Sequence, residues 1–366
     1  MSKLKNALCE RLGIDVPIIS AGMGPIAGPD LVAAVSNAGG LGVLGCTSMS
    51  ADEVRDVIRR TQQLTDRPFG VDLILPTRLD QGGVKVSDIA DMLPEEHLRI
   101  AAEIATELSI APPKGGDGGP LGSKDRNALG TDAEAQIEVI LEEGVPVFVG
   151  ALGSPGFVVD RFHDAGATVM SVVGNTKQAM AVARDGADVV IAQGTEGGGH
   201  TGHVGTMALL PQVLDAIDVP VVAAGGIGDG RGLAAALVMG CEGVWVGTRF
   251  LATVEAGIAG WQKAGIVAAA DQSPVISRAY TGKRFRMLPN RWTEAWEAAD
   301  VDPLPMPLQP VLAGRTMGPL ATDRGGQEGI SMNGAGNIAG LIGEVMPAAD
   351  VVAMMVEEAT ARLSAW

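Results

Sequence analysis

An α/β chain closed into a (β/α)8 barrel is what these 366 residues predict, and three observations lead there. Eight short apolar, β-branched runs recur, each followed by Gly or polar residues and then by an Ala-rich stretch with helical spacing, the alternation that builds parallel sheets. Several joins share one local grammar, NAGGLGVLG, DAGATVMSV, RDGADVVIA and VMGCEGVWVG, in which a Gly or Asp closes a helix and a strand covered on both faces begins. Eight such units close a barrel more naturally than they extend an open doubly wound sheet.

The runs lie at 17–21, 41–44, 69–75, 146–149, 168–172, 188–192, 220–224 and 243–246. Between the third and fourth stands the segment 77–132, with a polar helix pattern, PEEHLRIAAEIATEL, and a Gly/Pro-rich tract, PPKGGDGGPLG. It reads as an inserted, lid-like segment, because barrel active sites lie at the C-terminal strand ends and the insertion leaves from one of them. A plain surface loop suits the Gly-rich part equally well. From 256 the βα rhythm stops and helical patterns such as NRWTEAWEAAD and MPAADVVAMMVEEATARLSAW take over. The expected organisation is therefore a barrel domain over 1–255 and a C-terminal helical subdomain over 256–366 packed on it.

Composition supports a large buried core, with 46% hydrophobic residues, and the 51 glycines follow no collagen period. A formal charge of −16 argues against nucleic acid and anionic membranes as partners, since a phosphate backbone needs a basic face. The opening MSKLKNALCERLG lacks an apolar signal region, and no run of about 20 apolar residues follows, so a cytoplasmic, membrane-free chain is expected. Cys9, Cys46 and Cys241 show neither paired spacing nor CxxC, so they read as buried thiols without a metal or disulfide.

Chemistry concentrates at the predicted strand ends. Barrels that bind phosphate use the loops after the seventh and eighth strands, and here those loops are AAGGIGDG and VGTRF. Gly225 and Gly226 would let backbone amides approach an anion, and Gly247 and Thr248 would add an amide and a hydroxyl. After the sixth strand comes QGTEGGGHTGHVGT, whose glycines Gly197 to Gly199 suggest close approach of the backbone to a flat ligand. His200 follows at the mouth, where a neutral imidazole can take up a proton near neutral pH. A metal pair with His203 lacks a third ligand, and His97 and His163 sit on helix patterns. In SAGMG, Gly22 and Met23 point to the same mouth, with core filling the bland reading of Met23. Asp72 stands inside the apolar run GVDLILP, either as a cofactor ligand or as the partner of a basic group.

Taken together, PIISAGMG, VSNAGGLGVLG, FGVDLILP, QGTEGGGHTG, VPVVAAGGIGDGRGLAAAL, GVWVGTRFL and NIAGLIGE resemble the nitronate monooxygenase family of FMN-dependent TIM-barrel oxidoreductases. That family also includes flavin-dependent reductases of enoyl thioesters and quinones. The resemblance implies noncovalent FMN, with phosphate at Gly225, Gly226, Gly247 and Thr248, and with Gln193 and Gly198 near the ring. It implies that His200 deprotonates nitroalkanes, after which the flavin oxidises the nitronate and O2 reoxidises the flavin. Asp72 stands where many members have Asn, and the 77–132 insertion is longer than the common pattern. Three functions follow as expectations: a nitronate oxidase using O2, an NAD(P)H-dependent reductase of a quinone or an enoyl or CoA thioester, and a phosphate-binding barrel without redox chemistry. The partners are a small-molecule substrate and O2 or NAD(P)H, with a homodimer left open.

Overall fold

A computed structural model describes residues 4–75, 86–111, 133–318 and 326–365. Eight parallel strands, β1 (Ile18–Ser20), β2 (Gly42–Gly45), β3 (Phe69–Ile74), β4 (Val147–Ala151), β5 (Thr168–Val173), β6 (Val189–Gln193), β8 (Val221–Ala224) and β9 (Gly243–Val246), run side by side in the order β1-β9-β8-β6-β5-β4-β3-β2. The two ends of that order meet: the Leu41 amide donates to Ile18 O and the Ser20 amide to Leu41 O, each at 2.9 Å, which closes the barrel. Each of the eight apolar runs contributes one of these strands. Both faces of a barrel strand are covered, so its residues form a continuous hydrophobic run visible without any partner.

The barrel interior is packed with Ile19, Leu41, Val43, Val149, Met170, Ile191, Val222 and Trp245, joined by Leu8, Cys9 and Leu12 from the helix Ala7–Leu12. Outside, helices follow the strands. Their starts use side-chain caps: Ser50 and Glu53 form a reciprocal capping box on Ala51–Leu64, Asn175 caps Thr176–Arg184, and Asp229 caps Gly230–Val238. All three cysteines are buried and free.

Two features differ from the expected organisation. The segment 256–366 is not helical throughout. It carries β10 (Val275–Ser277) and β11 (Phe285–Met287), which form a separate antiparallel sheet with β7 (Gly199–His200) in the order β10-β11-β7. Strands of two or three residues are too short for periodicity to reveal. The last helix, Ala348–Ser364, is part of the barrel's outer ring and not of a subdomain packed on it: it lies on Gly230–Val238 and on Pro29–Asn37, in the eighth place of the ring. Val351, Val352, Met355 and Ala359 are the residues it buries there.

The described part of the insertion, with helices Val86–Ala90 and Glu95–Glu107, packs against Arg291–Ala298 and Leu308–Met317. Ile89, Ile100 and Ile104 share one hydrophobic core with Trp292, Trp296, Leu312 and Met317. The insertion and the middle of the C-terminal segment are thus two parts of one unit beside the barrel. The Gly/Pro-rich tract PPKGGDGGPLG lies outside the described residues. Among the described residues, no helix is long and apolar enough to cross a membrane.

Phe148 of β4 is fully buried and stacks on Phe162 of helix Val159–Asp164, ring centroids 4.1 Å apart and planes 10° apart. Phe148→Ala is expected to destabilise the fold by roughly 3–5 kcal/mol, because it leaves a cavity in a close-packed layer. Urea unfolding reads this as a lowered midpoint, and an unchanged midpoint would contradict the packing described.

Candidate functional site

The C-terminal ends of the barrel strands open into a cavity of about 1370 Å³. Gly22, Met23, Asp72, Gln193, Gly198, His200, Gly225, Gly226, Gly247 and Thr248 all line it. They come from the ends of β1, β3, β6, β8 and β9 and from β7 and its loop, brought to one chamber by the closure of the barrel. The described residues of the 77–132 insertion do not line this cavity.

His200 is held from three sides. Its β7 residue pairs with Phe285 of β11, and its ring meets the Phe285 ring edge-on, centroids 5.2 Å apart and planes at 89°. Its carbonyl accepts a hydrogen bond from the Gln193 side-chain amide at 2.8 Å. Its Nε2 lies 3.2 Å from the hydroxyl of Thr281. The same hydroxyl lies 3.3 Å from the Lys283 carbonyl, so it links the His200 ring to the β10–β11 turn. Burial, and secondarily the positive charge of Lys283, push the His200 pKa down to about 4. The imidazole is therefore neutral at physiological pH, the form that can accept a proton.

The loop carrying His200 is rigid for reasons that involve the chain itself. The Glu196 carboxylate accepts from the Thr206 amide at 2.9 Å and from its hydroxyl at 2.9 Å. The Arg286 guanidinium donates to Thr195 O at 3.0 Å. The triple glycine, which the sequence reading assigns to a flat ligand, has a packing cause as well. A Cβ at Gly198 would stand 2.8 Å from the backbone of Ala335 and Gly336, so the 335–336 strand of chain crosses directly over the loop.

Asp72 lies on β3 beneath Gly22, where a Cβ would fall 2.4 Å from the carboxylate oxygen Oδ2. Its Oδ1 is buried without a hydrogen-bond partner. Among the described residues no basic group neutralises it, and burial lifts its pKa to about 8. The adjacent Cys46 thiol is pushed up to about 12 by burial and then by Asp72. Across the chamber Gly225 (φ +88°) and Gly226 (φ +71°) adopt backbone conformations that side chains rarely allow. Thr248 accepts at Oγ1 from the Gly336 amide at 2.9 Å, which leaves its hydroxyl proton to donate into the cavity. His203 is exposed and away from these contacts.

Sequence reasoning missed Thr281, Lys283, Arg284 and Phe285, all of which line the chamber from the β10–β11 turn. The visible signal was RAYTGKRFR, four basic residues within nine positions of an acidic chain.

Because an unfolded Asp titrates near 3.9 and folded Asp72 near 8, between those values the unfolded chain is ionised while the fold keeps its proton. Stability of the cofactor-free protein should therefore decline as pH rises from about 4 to 8 through this residue. Asp72→Asn removes that slope: its urea midpoint should gain on the parent's more at the upper end of the window than at the lower. A gain that does not vary with pH would rule the effect out.

The nitronate monooxygenase family model matches residues 5–358. A (3aS,4S,5R,7aS)-5-hydroxy-7a-methyl-1-oxo-octahydro-1H-indene-4-carboxyl-CoA dehydrogenase of Rhodococcus jostii is 38% identical over 79% of this chain and 67% of its own length. A protein of Staphylococcus aureus named "Probable nitronate monooxygenase" is 30% identical over 83% of this chain and 84% of its own. Among solved structures, the nitroalkane oxidase of Streptomyces ansochromogenes superposes with a TM-score of 0.82 at 32% identity, covering 98% of this chain and 99% of that one.

Proposed function

The chain belongs to the nitronate monooxygenase family and is an oxidoreductase, and we propose that it oxidises alkyl nitronates, and the neutral nitroalkanes that yield them, with FMN as cofactor and O2 as acceptor. The observation that carries this reading is the neutral imidazole of His200, fixed at the cavity wall by Thr281, Phe285 and Gln193.

The residues present fit FMN. The Gly225–Gly226 bend at positive φ, with Gly247 and the Thr248 hydroxyl, would hold its phosphate. The unpartnered Oδ1 of Asp72, beside Gly22 and Met23, would face its ring, with Gln193 and Gly198 nearby. When bound, FMN supplies acceptance of the nitronate's electrons and their passage to O2. The protein's own part is proton chemistry and positioning. His200 takes the proton from the carbon bearing the nitro group, and its contact with Thr281 keeps the ring oriented. The low pKa makes His200 available as a base over the whole physiological range, at the cost of a weaker drive for the transfer.

The carboxyl-CoA dehydrogenase relative favours a second reading, an FMN-dependent oxidoreductase acting on CoA thioesters with NAD(P)H as electron partner. Anaerobic mixing separates the two. A nitronate should bleach the flavin absorbance while NADH and NADPH leave it unchanged; the opposite pattern selects the thioester reading.

His200→Asn should retain FMN and slow turnover of neutral nitroalkanes by roughly 10² to 10⁴. Preformed nitronates should suffer less, because their proton has already left. Steady-state kinetics on matched nitroalkane and nitronate forms measures this, and equal losses on both would contradict the base role.

A further inference from the structure

Leu152 combines three features that rarely meet in one residue. Among the described residues, Leu152, at φ +60°, and Ser109 are the non-glycine residues with left-handed backbone. The Leu152 side chain is large and apolar yet 44% exposed. It also lines the chamber, as the first residue past the end of β4. A costly backbone conformation that leaves apolar surface open inside a cavity points to a ligand contact.

The conformation is imposed from both ends. Before it, the Leu75 amide donates to Ala151 O at 3.0 Å. After it, Gly153 is pressed on the same neighbour, where a Cβ would fall 2.7 Å from Leu75 O. Ser154 then donates from Oγ to Asp185 Oδ2 at 2.7 Å and caps the short helix Pro155–Phe157. The chain between these anchors has to turn sharply at Leu152, and the turn leaves that side chain on the chamber wall.

The inner faces of three neighbouring strands end in apolar residues beside it. Side chains alternate along a strand, and Val149 and Met170 pack in the barrel interior. Two positions further on, Ala151 and Val172 therefore face the same way, and Ile74 pairs with Ala151 in the β3–β4 register. Ile74, Ala151 and Val172 are half-buried and line the cavity. In the closed strand order β4 stands four places from β9 in either direction, so this apolar patch lies across the mouth from the Gly247–Thr248 loop. The cavity of about 1370 Å³ exceeds the roughly 300–1,000 Å³ of ordinary small-molecule pockets. It has room for an extended hydrocarbon group beside a cofactor.

We propose that Leu152, with Ile74 and Val172, forms an apolar subsite for the hydrocarbon part of the substrate, so that the enzyme favours long-chain over short-chain nitronates. The subsite rests on the reading of the His200 cavity as the reaction chamber.

Leu152→Gly and Leu152→Asn test it. Both new residues tolerate φ +60°, so each removes the apolar side chain without opposing the turn. With FMN-loaded protein and saturating O2, kcat/KM is compared for the nitronates of 1-nitrooctane and nitroethane. The parent should favour the longer one, and each substitution should lower that ratio roughly ten-fold, chiefly through KM. The urea midpoint should not fall, because relief of the strained backbone offsets the little packing that a half-exposed side chain provides. A ratio that either substitution leaves unchanged overturns the subsite. A midpoint lowered in both variants assigns the side chain to packing and overturns it too.

Equilibrium dialysis against 1-octanol needs neither turnover nor a nitro group. If no nitronate is oxidised while 1-octanol binds the parent, and binds both variants about ten-fold more weakly, the subsite stands and the nitronate reading falls. Equal binding to parent and variants, or no binding to the parent, overturns the subsite.

Discussion

The pairing of Gly199–His200 with Phe285–Arg286 is the contact on which the chamber depends. A loop with three consecutive glycines has a large conformational entropy to lose, and left alone it would not hold an imidazole in one place. Two residues of antiparallel ladder, the Gln193 amide below and the Arg286 guanidinium at Thr195 remove that freedom. The same ladder brings the basic turn and Thr281 within reach of the ring. An imidazole from the barrel and a basic turn from outside it become one wall because a few backbone hydrogen bonds join them.

Burial keeps two ionisable groups of the chamber, His200 and Asp72, uncharged at neutral pH. His200 is held neutral because its protonated form would be desolvated beside Lys283, and Asp72 is held neutral because its ionised form would be desolvated with no cation near it. One shift is downward and the other upward, and at neutral pH both groups end uncharged. Formal charge on the cavity wall is carried by Arg278, Lys283 and Arg284 on one side and by Glu53 and Glu196 on the other.

The barrel was legible in the chain because each strand is covered on both sides and announces itself as an uninterrupted apolar run with a glycine before it. The strand-end residues were legible for a related reason: glycines and a lone acid interrupt or end those apolar runs and stand out against them. What stayed hidden depends on contacts distant in sequence. Phe285 faces His200 across 85 positions, and β10 and β11 are too short to leave a period-two trace. Gly198 shows a subtler limit, since its lack of a side chain is explained by the crossing chain at Ala335–Gly336 and would look the same if a ligand were the cause. The insertion's longer helix, Glu95–Glu107, was legible as a helix, while the short Val86–Ala90 was not, and the tryptophans that bury both lie some two hundred residues on.

The outer ring is completed by the helix Ala348–Ser364, which the ribosome delivers about a hundred residues after the last barrel strand, β9. Until it arrives, the groove between Pro29–Asn37 and Gly230–Val238 that will receive Val351, Val352, Met355 and Ala359 is an open apolar seam on an otherwise assembled barrel. Such a seam is sticky during synthesis and invites chaperones or a neighbouring nascent chain. In order of synthesis, the strands that frame the chamber precede the helix that completes their outer ring.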